Sequence, residues 1–308
     1  MWKITSGIFL GWGLGANDSA NVFGTGVTTG IVKYRTAVLL TGIFVLMGSL
    51  IDGPKCMRTV SDLSLLLPAD AFCCALAAAV TMAILTFLAI PASASQAIIG
   101  AVIGAGILSG TAEFSKLYKI ISCWIFTPVL ALILGYLLHR FIGYLLDRTI
   151  TDMTHRNFLY YTGIVTAGCY AAYALGGNNV ANVTGVYVGS GILSVQNASL
   201  IGGLSIAAGV LTYSKKVMMT VGKGIAPLDP FSALITILAE ALTLNLFTHI
   251  GVPVSSSQAI VGAVVGVGIV RGMKTVRSRM LIKIGLGWIM TPISAGLSAY
   301  CLIRFVIH

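Results

Sequence analysis

One heptapeptide of this chain is written twice. Gly15-Ala-Asn-Asp-Ser-Ala-Asn21 returns as Gly176-Gly-Asn-Asn-Val-Ala-Asn182. Three more pairs keep the same order. Pro91-Ala-Ser-Ala-Ser-Gln96 with its apolar tail to Gly106 returns as Pro253-Val-Ser-Ser-Ser-Gln258 to Gly268. Trp124-Ile-Phe-Thr-Pro128 returns as Trp288-Ile-Met-Thr-Pro292, and Thr59-Val60 as Thr220-Val221. The offsets are 161, 162, 164 and 161 residues, close to a single register. Chance likeness between apolar segments would not hold order and register together, so the chain reads as two copies of one unit. The halves are 1–150 and 151–308, joined by the polar stretch from Arg148 to Arg156.

The solvent of each unit follows from charge. Only 9% of the 308 residues are charged and 57% are hydrophobic, against about 25% charged in an ordinary soluble domain. The runs Ile120–Leu138 and Ile284–Ile303 carry no formal charge. Each is long enough to cross a hydrocarbon layer of about 30 Å as a helix. The lipid bilayer is therefore an expected partner. The net charge of +10 does not point to nucleic acid, because the bases sit in short segments between apolar runs, as membrane topology requires. The start of the chain does not read as a cleavable signal peptide. The six cysteines show no metal or disulfide spacing and read mostly as small hydrophobes.

Loops facing the cytoplasm carry excess Lys and Arg. Segment 31–36 has Lys33 and Arg35, while its counterpart 187–196 has no charge. Segment 55–70 balances Lys55 and Arg58 with Asp62 and Asp70, whereas 214–228 has Lys215, Lys216 and Lys223. Segment 111–119 has Lys116, Lys119 and Glu113; its counterpart 271–283 has five bases. Each comparison reverses between halves, as inverted repeats require. The fold expected is an all-α polytopic membrane protein. Each half should have a first helix broken at its Asn-rich motif, a second span, a helical hairpin folded at the Pro-Ser-Gln junction, and a last span kinked or broken at Pro128 or Pro292.

Polar groups inside apolar spans need a reason, since a mid-bilayer charge is penalised by about 2.5–3.5 kcal/mol. Asp18 lies in the first span with Asn17 and Asn21; Asn178, Asn179 and Asn182 mark the matching place. Gly13, Gly15 and Gly24, and Gly176, Gly177 and Gly185, flank the clusters. Glycine lets backbone leave helical geometry, and freed carbonyls beside Asp18, Asn21, Asn179 and Asn182 would suit a coupling Na+ or proton. Ser93, Ser95 and Gln96, and Ser255, Ser256, Ser257 and Gln258, follow a proline at a helix start. Free N–H groups and the helix dipole bind anions there. Two such starts facing each other, with Asn17 and Asn178, would wrap a tetrahedral oxyanion in neutral donors. Glu240 is a further candidate proton or cation site, and Thr59 and Thr220 are candidate gate residues. Gly100/Gly104 and Gly262/Gly266 read as close helix packing.

These residues resemble the PiT family of inorganic phosphate transporters, over nearly the whole chain and in motif order. The resemblance implies symport of phosphate with Na+ or H+, no other cofactor, a site between the first helices and the hairpin tips, and a homodimer. Some relatives of that kind carry sulfate. Against the family pattern, the second Asn-rich motif has Asn179 in place of Asp, Val45 stands for a Glu, and Gln96 and Gln258 stand where His is frequent. Another family Glu falls at Ile237, one helical turn before Glu240. Fewer acids imply fewer cation sites. A re-entrant-loop channel is the competing class; Asp18, costly in a pore without coupling, favours a carrier. No nucleophile or catalytic His pair suggests an enzyme. The compact chain is expected in a bacterial or archaeal plasma membrane.

Overall fold

The computed structural model describes residues 2–87, 92–224, 228–272 and 278–307; the side chains of 86–87, 220–224, 278–284 and 307 are outside the description. Pro91, Thr220 and Lys223, singled out from sequence, thus fall outside the described residues or side chains. The described residues form eleven α-helices. In the first half these are α1 (Thr5–Thr28), α2 (Tyr34–Ile51), α3 (Gly53–Ser61), α4 (Pro68–Phe87), α5 (Ala94–Ser109) and α6 (Phe114–Thr149). The second half has α7 (Met153–Gly189), α8 (Val195–Gly224), α9 (Pro230–Ile250), α10 (Ser256–Val270) and α11 (Ser278–Leu302). Six of them are long and apolar enough to cross a membrane. The outer faces of α6 and α11 expose Ile125, Phe126, Val129, Ile289, Ile293 and Leu297, as lipid contact demands. At 16 and 15 residues, α5 and α10 reach about 24 Å or less, too short to span.

The helices cross-pack between halves. α1 lies on α8 and α7 on α2; α5 lies on α11 and α10 on α6. Glycines make this close approach. A Cβ on Gly15 would collide with the Ile206 carbonyl, and one on Gly176 with that of Val45. Gly48 meets Tyr173 and Gly209 meets Trp12 in the same way. Gly100 faces Pro292 while Gly262 faces Pro128, and Gly104 faces Gly296 while Gly266 faces Leu132. Both Gly-xxx-Gly pairs therefore act as packing surfaces, as expected.

The expected break in each first helix is corrected. α1 and α7 run unbroken through Asn17-Asp18 and Asn178-Asn179. Gly15 and Gly176 are where neighbouring backbone arrives, not where the helix opens, so no main-chain carbonyls are released there. α6 and α11 continue through Pro128 and Pro292, so of the two expected outcomes, kink or break, the break occurs at neither proline. Thr127 and Thr291, just before each proline, donate to the carbonyls of Cys123 and Gly287.

The hairpins do form. α4 and α5 pack together, as do α9 and α10. Glycine in the left-handed region ends α5 at Gly110 (φ 70°) and α9 at Gly251 (φ 80°), where only a missing Cβ makes such a turn cheap.

Candidate functional site

The serine tips are helix starts. Ser93 caps α5 by accepting from the Gln96 N–H at 3.4 Å, and Ser255 caps α10 by accepting from the Gln258 N–H at 3.3 Å. The Ser95 hydroxyl donates to the Val254 carbonyl at 2.7 Å, so the two tips touch. Asp18, Asn179, Ser93, Ser95, Ser255, Ser256 and Ser257 wall one recess, closed by Ala92 and Ala94. With the tips in contact it is closed down, leaving no room for a water-sized sphere among the described residues.

The Asn-rich motifs bind these tips crosswise. Asp18 Oδ2 accepts from Ser256 at 2.8 Å, and Asn21 Nδ2 donates to the same hydroxyl at 3.3 Å. Asn17 Nδ2 reaches the other Asp18 oxygen at 3.1 Å. Across the site Asn182 Nδ2 donates to Ser95 at 2.9 Å and to Asn179 Oδ1 at 2.8 Å. Each first-helix motif thus grips the hairpin of the other half.

Not every candidate lines the recess. Asn178 is spent on the hairpin: it accepts from the Val254 N–H at 2.9 Å and donates to Thr248 at 3.0 Å and the Val252 carbonyl at 3.5 Å. Gln96 and Gln258 are buried on α5 and α10 but off the recess wall, their amide oxygens without hydrogen-bond partners among the described residues. Thr59 holds the Gly251 carbonyl, so it clasps the turn of the α9–α10 hairpin. Glu240 is fully buried, and neither carboxylate oxygen has a partner among the described residues.

Sequence reasoning missed Ala92, Ala94 and the backbone of Val254. The alternation Ala-Ser-Ala-Ser before Gln96 was the available signal, since small residues let main chain approach a ligand. Thr248 and Trp124, which donates to the Pro253 carbonyl at 3.3 Å, were also missed. Each is a polar group inside an otherwise apolar helix.

At the α2–α3 corner, Asp52 accepts from Lys55 at 2.6 Å and from the Tyr173 hydroxyl at 2.8 Å. Lys55 also meets His249 Nε2 at 3.1 Å. Burial pushes the Asp52 carboxyl up. The hydrogen bonds from Lys55 and Tyr173, with the charges of Lys55 and His249, outweigh that and hold it below the ordinary carboxylate value.

Comparison with known proteins gives a consistent result. The model of the phosphate transporter family matches residues 14–299. A Methanocaldococcus jannaschii protein described as a candidate phosphate permease is 32% identical over 95% of this chain and 93% of its own length. The sulfate permease of Bacillus subtilis is 26% identical over 96% of this chain and 85% of its own. A solved structure titled as the sodium-dependent phosphate transporter superposes with a TM-score of 0.86 at 20% identity, covering 99% of this chain and 98% of that one.

Proposed function

The chain belongs to the phosphate transporter family, and from that premise we propose that it carries inorganic phosphate across the plasma membrane by symport with Na+ or H+. It is a transporter and not an enzyme. One observation carries the site assignment: Asp18, the only carboxylate among the described residues of the recess wall, is hydrogen-bonded to Ser256 at the meeting point of two helix N-termini. The tips offer N–H groups and hydroxyls to an oxyanion. Neutral donors hold phosphate firmly enough to select it and loosely enough to release it. Asp18, Asn21, Asn179 and Asn182 supply hard oxygens for the coupling cation. The tips touch across the recess, so they must part to admit phosphate, and the hairpins carry that motion.

Asn178 belongs to this machinery as a positioning residue for the Val254 tip. Glu240 is the second coupling candidate. An ionised, unpaired carboxylate in such surroundings is penalised by several kcal/mol, so it holds a proton or a cation during the cycle. The inverted arrangement of the halves 1–150 and 151–308 is part of the proposal. It is supported by the reversed loop charges and by reciprocal packing at matched positions. Assembly as a homodimer is part of it as well, and the mass of the purified protein reads it out.

The test is uptake of radiolabelled phosphate into liposomes under an imposed Na+ or H+ gradient, with sulfate, arsenate and molybdate as competitors. Saturable, gradient-driven uptake blocked best by arsenate is expected; gradient-independent flux would assign a channel instead. Asp18→Asn should abolish the ion dependence, and normal uptake with unchanged Na+ or H+ dependence in that variant would remove Asp18 from coupling. A second reading, sulfate as substrate, is favoured by the Bacillus subtilis relative; stronger block by sulfate than by arsenate would establish it.

A further inference from the structure

A wider cleft lies at the other end of the second hairpin. It measures about 390 Å³ and forms where the end of α6 meets the starts of α7 and α9 and the end of α10. From Ser256 to Val270 α10 rises roughly 20 Å, so this cleft is separate from the serine tips.

Its walls are cationic. Arg140, Arg156 and Arg271 line it, with Asp147 and Asp229 as the only acids among the described lining residues. Two of the arginines are engaged. Arg156 donates to Asp147 at 2.9 Å and to the carbonyls of Ile150 and Leu146 at 2.7 and 3.3 Å. Arg271 pairs with Asp229 and donates to Ser232 at 3.2 Å. Arg140 makes no ion pair among the described residues and donates only to the Tyr136 hydroxyl at 3.0 Å. Arg148 lies 4.5 Å over the ring of Tyr144, itself a lining residue. Three cations against two carboxylates leave a surplus of one positive charge, and Arg148 makes it two. A guanidinium presents a planar fork of donors that matches phosphate oxygens.

The cleft also has an apolar shoulder. Phe141 and Leu145 each follow a lining residue on α6, and they are 69% and 49% exposed. They continue the lipid-facing surface of that helix through Leu137 and Ile133. A free phosphate ion would use the arginines alone, whereas an amphiphile uses both features. The segment 271–283, with five bases, adjoins the cleft in sequence, and basic pockets between spanning helices at the cytoplasmic side take acidic headgroups.

We propose that this cleft binds the phosphate headgroup of an anionic phospholipid, with Arg140 and Arg148 as its main contacts and the acyl chains along Phe141 and Leu145. The site joins α6 and α7 to the base of the α9–α10 hairpin.

The full-length protein in detergent would be titrated with phosphatidylglycerol, with phosphatidylcholine and with inorganic phosphate, reading retained lipid by native mass spectrometry and the thermal midpoint. Phosphatidylglycerol should be retained and should raise the midpoint, and phosphatidylcholine should do neither. Arg140→Gln should weaken retention about fivefold, the weight of one basic residue at an anionic surface. Lys33→Gln, on another loop, should leave it unchanged. If Arg140→Gln does not fold, Arg148→Gln gives the same readout. Equal retention of the two lipids, or retention insensitive to both arginine variants, overturns the proposal. An Arg140-dependent shift produced by inorganic phosphate and not by lipid overturns it too, in favour of a soluble-anion site. None of these readouts involves transport, so they stand or fall apart from the assignment at the tips.

Discussion

Asp18 and Ser256 differ in chemistry from their counterparts in the other half. Asp18 matches Asn179, and Ser256 matches Ala94. The unmatched acid is hydrogen-bonded to the unmatched serine, so the asymmetry of the site is concentrated in one contact. Ser256→Ala leaves Asp18 with Asn17 alone. A hydrogen bond to a charged group is worth about 1.5–3 kcal/mol, so the apparent affinity for the coupling cation should fall about tenfold or more. Uptake measured against cation concentration checks this, and an unchanged cation dependence would detach Ser256 from coupling. Asp52 offers a pH test. Its depressed folded-state value means the stabilisation is present above the unfolded carboxylate value near 3.9 and fades as pH falls through the folded value. Asp52→Asn should therefore be less stable at neutral pH and lose less on acidification, as thermal midpoints across the acid range would show. Of the recess residues, the serines and Asp18 were legible because duplication marked them. The contacts of Asn178 with Val254, Thr248 and Val252 were not legible, because an Asn in a cluster looks the same whether it faces a ligand or clasps backbone.

Elements show why the first helices were expected to break. Glycine serves two opposite ends in a membrane helix: it loosens the main chain, or it removes the Cβ so that another helix can approach. Sequence cannot separate these without knowing which helix is adjacent. The α1–α8 and α2–α7 contacts decide for approach at Gly15, Gly48, Gly176 and Gly209. Gly15→Ala and Gly176→Ala should each destabilise by about 1–3 kcal/mol or more through overpacking. Gly13→Ala, in open space, should be neutral or mildly stabilising, since alanine is the better helix former. Thermal midpoints of the three purified variants would test it; equal midpoints would show that close approach at Gly15 and Gly176 does not carry stability. The α3 helix has a comparable mechanical role. Thr59 and Lys55 hold the α9–α10 turn through Gly251 and His249. Thr59→Val should release that turn and alter the rate of uptake more than the apparent phosphate affinity, because Thr59 is absent from the recess wall.

At the scale of the whole molecule, the pairing of α1 with α8 and of α7 with α2 is one relation stated twice. So is the pairing of α5 with α11 and of α10 with α6. Contacts that exchange in this way are what a two-fold axis produces, and an axis lying in the membrane plane is what inverted repeats have. None of this exchange was legible in the repeat offsets, which show that two units exist and say nothing about how they interlock. The charge reversal between matched loops supplies the orientation. It predicts that Arg35 and Gln196, on counterpart loops, face opposite sides of the membrane. In a background without the more accessible thiols Cys169 and Cys301, Gln196→Cys should react with an impermeant thiol reagent on intact cells. Arg35→Cys should react only after permeabilisation. Both positions are exposed, so access to the reagent depends on side alone. A parallel repeat would put both loops on one side, and the two variants would then label together.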